Sequence, residues 1–107
     1  MIIQTKSGKR VIGIHGDQLG VWYPYSEIIP VKKAKEVMHI KKNNMKIFIY
    51  KSSLGRINVV ILQNNKAAEY TYAPSIKSWT KWNKKRCVWK PIKHTKLFRE
   101  IEAMVRL

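Results

Sequence analysis

The sequence predicts an α+β protein: a small curved antiparallel sheet arranged as a β-meander, open to barrel-like closure, with a C-terminal amphipathic helix and one short internal helix. Three observations carry this. β-branched runs recur at residues 2–5, 11–14, 45–50 and 57–62, each bounded by Gly, Asn or Pro punctuation. Residues 95–107 place Leu97, Phe98, Ile101, Met104 and Val105 on one stripe at helical spacing. The chain has 107 residues, 45% of them hydrophobic and four of them Trp, which is enough for one core and one domain, 1–107.

The elements follow in order. The runs at 2–5 and 11–14 are separated by Lys6-Ser7-Gly8-Lys9-Arg10, a polar connector in which Gly8 can take a positive φ. His15-Gly16-Asp17 marks a second turn and residues 19–23 a third strand, after which Pro24 and Pro30 punctuate the path. In residues 31–41 Val31, Ala34, Val37, Met38 and Lys41 follow a helical period, with Pro30 suited to the first helical position, so a short helix is expected there, although Val37 to Ile40 taken alone could equally be a strand. The arms 45–50 and 57–62 are apolar on both pleat faces, the pattern of central strands covered on each side. Asn64-Asn65 is a turn and residues 68–73 a further strand. Thr95 is placed to cap the last helix.

Charge is the second strong signal. Lys and Arg number 22 against 6 Asp and Glu, a formal net charge of +16. Residues 1–30 carry only +1 of it, residues 31–66 carry +8 and residues 67–107 carry +7. The first quarter therefore reads as scaffold and the rest as the face that meets a partner. Residues 75–96 hold eight Lys or Arg and three Trp with no acidic residue. Cations with aromatic platforms complement a phosphate lattice carrying flat bases. The candidate contacts there are Lys77, Lys81, Trp82, Lys84, Lys85, Arg86 and Lys90, with Lys51 and Arg56 as a smaller set at a hairpin tip. Each Trp taken singly is better read as core, because a chain with two Phe needs large residues to fill its interior. A second basic track, Lys32, Lys33, Lys35, Lys41, Lys42 and Lys46, is as well explained by solubility.

The expected function is a small, non-enzymatic, nucleic-acid-binding protein, for DNA or RNA, with no cofactor and no metal. Two alternatives stand beside it. One is a metal-independent ribonuclease of the toxin type, drawing a base, an acid and a cation from His15, His39 or His94 with Tyr50, Lys51 or Arg56. The other is a regulator that docks on an acidic protein surface such as a nucleic-acid enzyme. Two-metal chemistry is disfavoured by six scattered acids, of which Glu100 and Glu102 point to different helix faces. No Gly-rich phosphate loop or Ser nucleophile elbow is present. Cys87 is the only cysteine, expected to be half-buried, and excludes an internal disulfide. Apolar runs are too short to span a membrane, and the first residues lack the pattern of a secretory signal. A reducing cytoplasmic setting is expected. Ile, Lys and Asn supply about a third of the chain, a composition that fits an A/T-rich source such as a phage or mobile element.

Overall fold

Asn43, Asn64 and Asn65 adopt left-handed backbone conformations, with φ of 54°, 51° and 61°. They lie in two-residue connections that fold neighbouring strands back on each other, the setting in which Asn tolerates positive φ best. Such turns organise most of the chain. The computed structural model describes residues 2–5, 8–24, 27–75, 77–83, 85–93 and 95–106, with 2–5 and 106 placed by backbone alone. Lys6 and Ser7 of the expected first connector, together with Lys84 and His94, lie outside the described residues.

Two antiparallel sheets and one helix result, so the chain is mostly β. The smaller sheet has β1 (Ile2–Thr5), β2 (Gly8–His15) and β3 (Gln18–Trp22), with the two-residue β4 (Ile29–Pro30) sharing the β1 edge of β2. The larger is a six-stranded meander in the order β10-β9-β8-β7-β6-β5. Its strands are β5 (Met38–Lys42), β6 (Met45–Lys51), β7 (Ile57–Gln63), β8 (Lys66–Ala73), β9 (Ser78–Asn83) and β10 (Val88–Pro91). The helix α1 spans Lys96–Arg106. Among the described residues neither sheet closes on itself, so the barrel-like form is not adopted; β5 and β10 are the edges of the larger sheet.

The central strands β6 and β7 are covered on both faces, as their unbroken apolar character implies. Phe48 and Val60 pair across one face and pack with Ile12, Ile14, Leu19 and Val21 of the smaller sheet. On the opposite face Ile47, Ile49, Ile57 and Val59 pack with Trp79, Phe98 and Ile101. Burying Phe98 and Ile101 holds α1 to the sheet, at roughly 1.5–3 kcal/mol per side chain. Thr95 Oγ1 accepts a hydrogen bond from the Phe98 N–H (3.4 Å), which caps the helix as expected. Met104 leaves the stripe and is 40% exposed, because six residues carry it about 120° around the helix from Phe98.

The expected helix over 31–41 is not formed. Ala34 N–H reaches the Pro30 carbonyl (3.1 Å), and Lys33 N–H reaches the same oxygen (2.9 Å), so one turn closes and then stops. Val31, Ala34 and Val37 are buried from a turn-rich path, which imitates helical spacing. Beyond them the backbone extends as β5, which supplies ladder partners that the edge of β6 otherwise lacks. Asn43-Asn44 is accordingly a hairpin turn rather than a helix end. Residues 78–91, to which the sequence assigns no element, form the β9–β10 hairpin at the other edge.

Candidate nucleic-acid interface

Strand parity sorts the aromatic residues of the basic segment. Trp79 and Trp82 are three apart in β9 and therefore lie on opposite faces. Trp79 turns to the α1 side, fully buried between Tyr72 and Phe98, with ring centroids 5.4 and 4.5 Å away. It is core, and its buried indole N–H has no hydrogen-bond partner among the described residues. Trp82 stands directly opposite Trp89 on the other face, both half-buried, their rings 5.2 Å apart and tilted by 56°. Neighbouring residues on the same hairpin point the other way. Lys81 and Lys90 are themselves cross-strand partners, and the Lys81 ammonium lies 5.8 Å from the Tyr70 ring centroid.

Of the nine candidate contacts Lys84 lies outside the described residues, and the structure divides the other eight into groups. Lys81, Trp82, Lys85 and Lys90 line one cleft of about 890 Å3, shared with Lys66 and Tyr70. Glu69 is the carboxylate that lines it, and its Oε1 accepts the Val21 N–H at 2.8 Å. Arg86 is exposed in the β9–β10 turn, where Asn83 Oδ1 accepts the N–H groups of both Lys85 (3.0 Å) and Arg86 (3.1 Å). Cys87 in the same turn is exposed, with φ 53°, rather than half-buried. Lys77 is not part of this group. It lies in the β8–β9 turn with φ 49° and lines a separate hollow with Lys51, at the opposite end of β9. A six-residue strand separates the two ends by about 20 Å. Among the described residues, the cations of the dense basic segment thus do not form one patch. The second basic track is partly occupied: Lys42 Nζ pairs with Glu100 at 3.3 Å, tying β5 to α1.

Arg56 belongs to a third cleft, of about 460 Å3, between the β2–β3 turn and the β7–β9 face of the larger sheet. His15, Asp17, Arg56, Asn58, Thr80 and Trp89 are among its lining residues. Its floor is a polar row running across three strands: Asn58 pairs with Thr71 and Thr71 with Thr80. Thr71 Oγ1 donates to Asn58 Oδ1 (3.3 Å) and Thr80 Oγ1 donates to the Thr71 carbonyl (3.0 Å). The sequence reading passed over this row, although Asn58 interrupts the run 57–62 and marks it. At the rim Asp17 Oδ1 accepts from Ser53 N–H (3.0 Å), Ser53 Oγ (3.0 Å) and Tyr50 Oη (3.4 Å). The Ser53 N–H bond, foremost, holds the Asp17 carboxyl below its ordinary range. Burial, and then the Asp17 charge, raise the Tyr50 phenol.

The histidines disperse. His15 lines the third cleft with its ring 5.3 Å from that of Trp22 and tilted by 57°, whereas His39 sits on β5 edge-on to Phe48 at 5.0 Å. Among the described residues no three His, Cys, Asp or Glu side chains gather as a metal site, and no helix is long and apolar enough to cross a membrane. Comparison with protein-family models, with curated proteins and with solved structures finds no match for this chain.

Proposed function

We propose that the protein binds nucleic acid through the β9–β10 edge hairpin, without acting as an enzyme. The observation that supports this is the placement of Lys81 directly opposite Lys90, with Lys66 and Lys85 lining the same cleft. Like charges facing each other across a ladder destabilise the sheet. None of these four lysines has a carboxylate within salt-bridge distance among the described residues. An anionic polymer would answer that repulsion, with condensed counterions released as each phosphate is neutralised. Tyr70 supplies aromatic surface on the face of Lys81 and Lys90, and the Trp82–Trp89 pair on the opposite face of the hairpin leaves both rings partly open. With about five phosphates engaged, log K against log salt should fall with a slope of about −4.5 on duplex DNA and about −3.5 on a single strand. A salt titration by fluorescence anisotropy tests this, and a slope near zero removes the reading.

A second reading, metal-independent RNA cleavage, is favoured by one feature: His15, Asp17 and Arg56 line the same cleft. A base and a cation held there beside a 2′-hydroxyl have the elements of that chemistry. Labelled RNA left intact from pH 5 to 8 removes it.

A further inference from the structure

The third cleft has features that neither packing nor the lysine cleft explains. Asn58 is the second residue of the central strand β7, 2% exposed, between Ile57 and Val59, which are 4% and 0% exposed. A carboxamide buried there is costly unless its hydrogen-bonding groups are satisfied. Its oxygen accepts from Thr71, while its nitrogen, with two N–H donors and no hydrogen-bond partner among the described residues, keeps some contact with solvent, since Trp79 Nε1 and not Asn58 Nδ2 is the fully enclosed side-chain atom left unpaired there. That group lines the cleft rather than the apolar layer. Thr71 and Thr80, 7% and 9% exposed, extend the polar floor, and Arg56 is exposed at the mouth. Trp89, half-buried, supplies an aromatic wall. An uncommitted amide edge, an aromatic face and a guanidinium around one opening are complementary to a single nucleotide: an edge to hydrogen-bond, a ring to stack and a phosphate to pair.

The β10 edge connects this cleft to the proposed phosphate-binding surface. Trp89 and Lys90 are adjacent in β10 and so face opposite sides of the sheet. One strand of nucleic acid that crosses this outermost, four-residue strand meets Lys81 and Lys90 on one side and Trp89 on the other. A duplex is too wide and too stiff to make that crossing and keeps its bases stacked inside. We infer that the cleft between the β2–β3 turn and the β7–β9 face takes one unpaired nucleotide, its base on Trp89 with its edge toward Asn58 and its phosphate toward Arg56. This rests on the nucleic-acid reading above and sharpens it to single-stranded substrate.

The test separates the two. The first arm measures binding of a single-stranded oligonucleotide and a duplex of equal length, to wild type and to the Arg56→Ala, Thr80→Val and Lys81→Ala/Lys90→Ala variants. The second arm adds uncharged nucleosides and follows the Asn58 side-chain amide and Trp89 indole signals by NMR. Expected is tighter binding of the single strand, a preference cut about tenfold by Arg56→Ala or Thr80→Val, and a parallel loss on both polymers from the lysine pair. Nucleosides should shift Asn58 and Trp89. If both polymers bind but the cleft variants leave the preference unchanged and no nucleoside shifts Asn58, the inference is overturned while the lysine surface stands. If neither polymer binds at low salt, the parent reading falls. Nucleoside shifts at Asn58 would then still support the cleft, and their absence would remove it as well. Thr80→Val keeps shape and burial, so a folded variant is available even if a change at Asn58 prevents folding.

Discussion

Lys81 of β9 stands directly opposite Lys90 of β10, two cations sharing one face of the outermost ladder of the six-stranded sheet. Its consequence is an opposition between stability and binding. Lys90→Glu turns a repulsive cross-strand pair into an attractive one, and should raise the unfolding free energy by about 0.2–1 kcal/mol. The same change removes one cation and adds an anion at the proposed phosphate surface, so affinity for nucleic acid should drop and the salt slope should shrink by about 1 or more. Urea unfolding and a salt titration on the same preparation check both signs. A variant that loses stability, or one that binds unchanged, contradicts the account.

Glu69 joins the two sheets at a point where the smaller one has an open edge. Its Oε1 takes the Val21 N–H at 2.8 Å, and it does so because Gly20 leaves room: a Cβ on Gly20 would lie 2.6 Å from that oxygen. Glu69→Ala should cost about 1.5–3 kcal/mol, the range for a hydrogen bond to a charged group. Gly20→Ala should be destabilising by the same route, because the carboxylate must move and release Val21. The two changes should therefore be far from additive. In a Glu69→Ala background Gly20→Ala should cost much less than in wild type, as a double-mutant cycle of urea unfolding will read.

The parts of this architecture that were legible in the sequence are those with local causes. The apolar run 57–62 followed by Asn64-Asn65 announces β7 and its turn, and Thr95 with Phe98 and Ile101 announces α1. The parts that were not legible depend on partners distant in the chain. Val31, Ala34 and Val37 show a helical period because separate turns bury them, while β5 exists because β6 needs a neighbour on its outer edge. The β9–β10 hairpin was hidden because Trp79 faces the helix and Trp82 faces away, so no single period describes the segment. The basic and aromatic composition of residues 75–96 singles out Lys81, Trp82, Lys85 and Lys90, which line one cleft. It could not foresee that Lys77 belongs to the other end of β9, nor that Asn58 would open on a second cleft.

Trp79 and Trp82 test this division directly. Trp79 is fully buried against Tyr72 and Phe98 and anchors α1 to the sheet, so Trp79→Ala should cost about 3–5 kcal/mol, a large share of a small domain's stability. Trp82 is half-buried, its ring 5.2 Å from that of the equally half-buried Trp89, so Trp82→Ala should cost clearly less in urea unfolding. In binding the order should reverse: at temperatures where both variants are folded, Trp82→Ala should weaken nucleic acid and Trp79→Ala should not. Equal stability losses from the two substitutions would refute the placement of Trp79.

Asp17 and Tyr50 make a pH-dependent pair at the rim of the third cleft. The Asp17 carboxylate is held below its ordinary range, first by the Ser53 N–H and then by hydroxyl and backbone donors of residues 52–54. A lowered folded value means that this contribution is present above the unfolded pKa of about 4 and disappears as pH falls through the folded one. Tyr50 is shifted upward, first by burial and next by the Asp17 charge, with Glu36 adding to it. Its contribution is complete below the unfolded value of about 10 and is lost as pH rises through the folded one. Asp17→Asn should therefore act at both ends of the scale. The acid limb of the stability curve should flatten, and one phenol should titrate closer to the ordinary tyrosine range while staying above it, because burial remains. Urea unfolding between pH 2 and 6 reads the first effect, and tyrosinate absorbance near 295 nm between pH 9 and 12 reads the second. A tyrosine titration unchanged by Asp17→Asn would show that the 3.4 Å contact between Tyr50 Oη and Asp17 Oδ1 does not persist in solution.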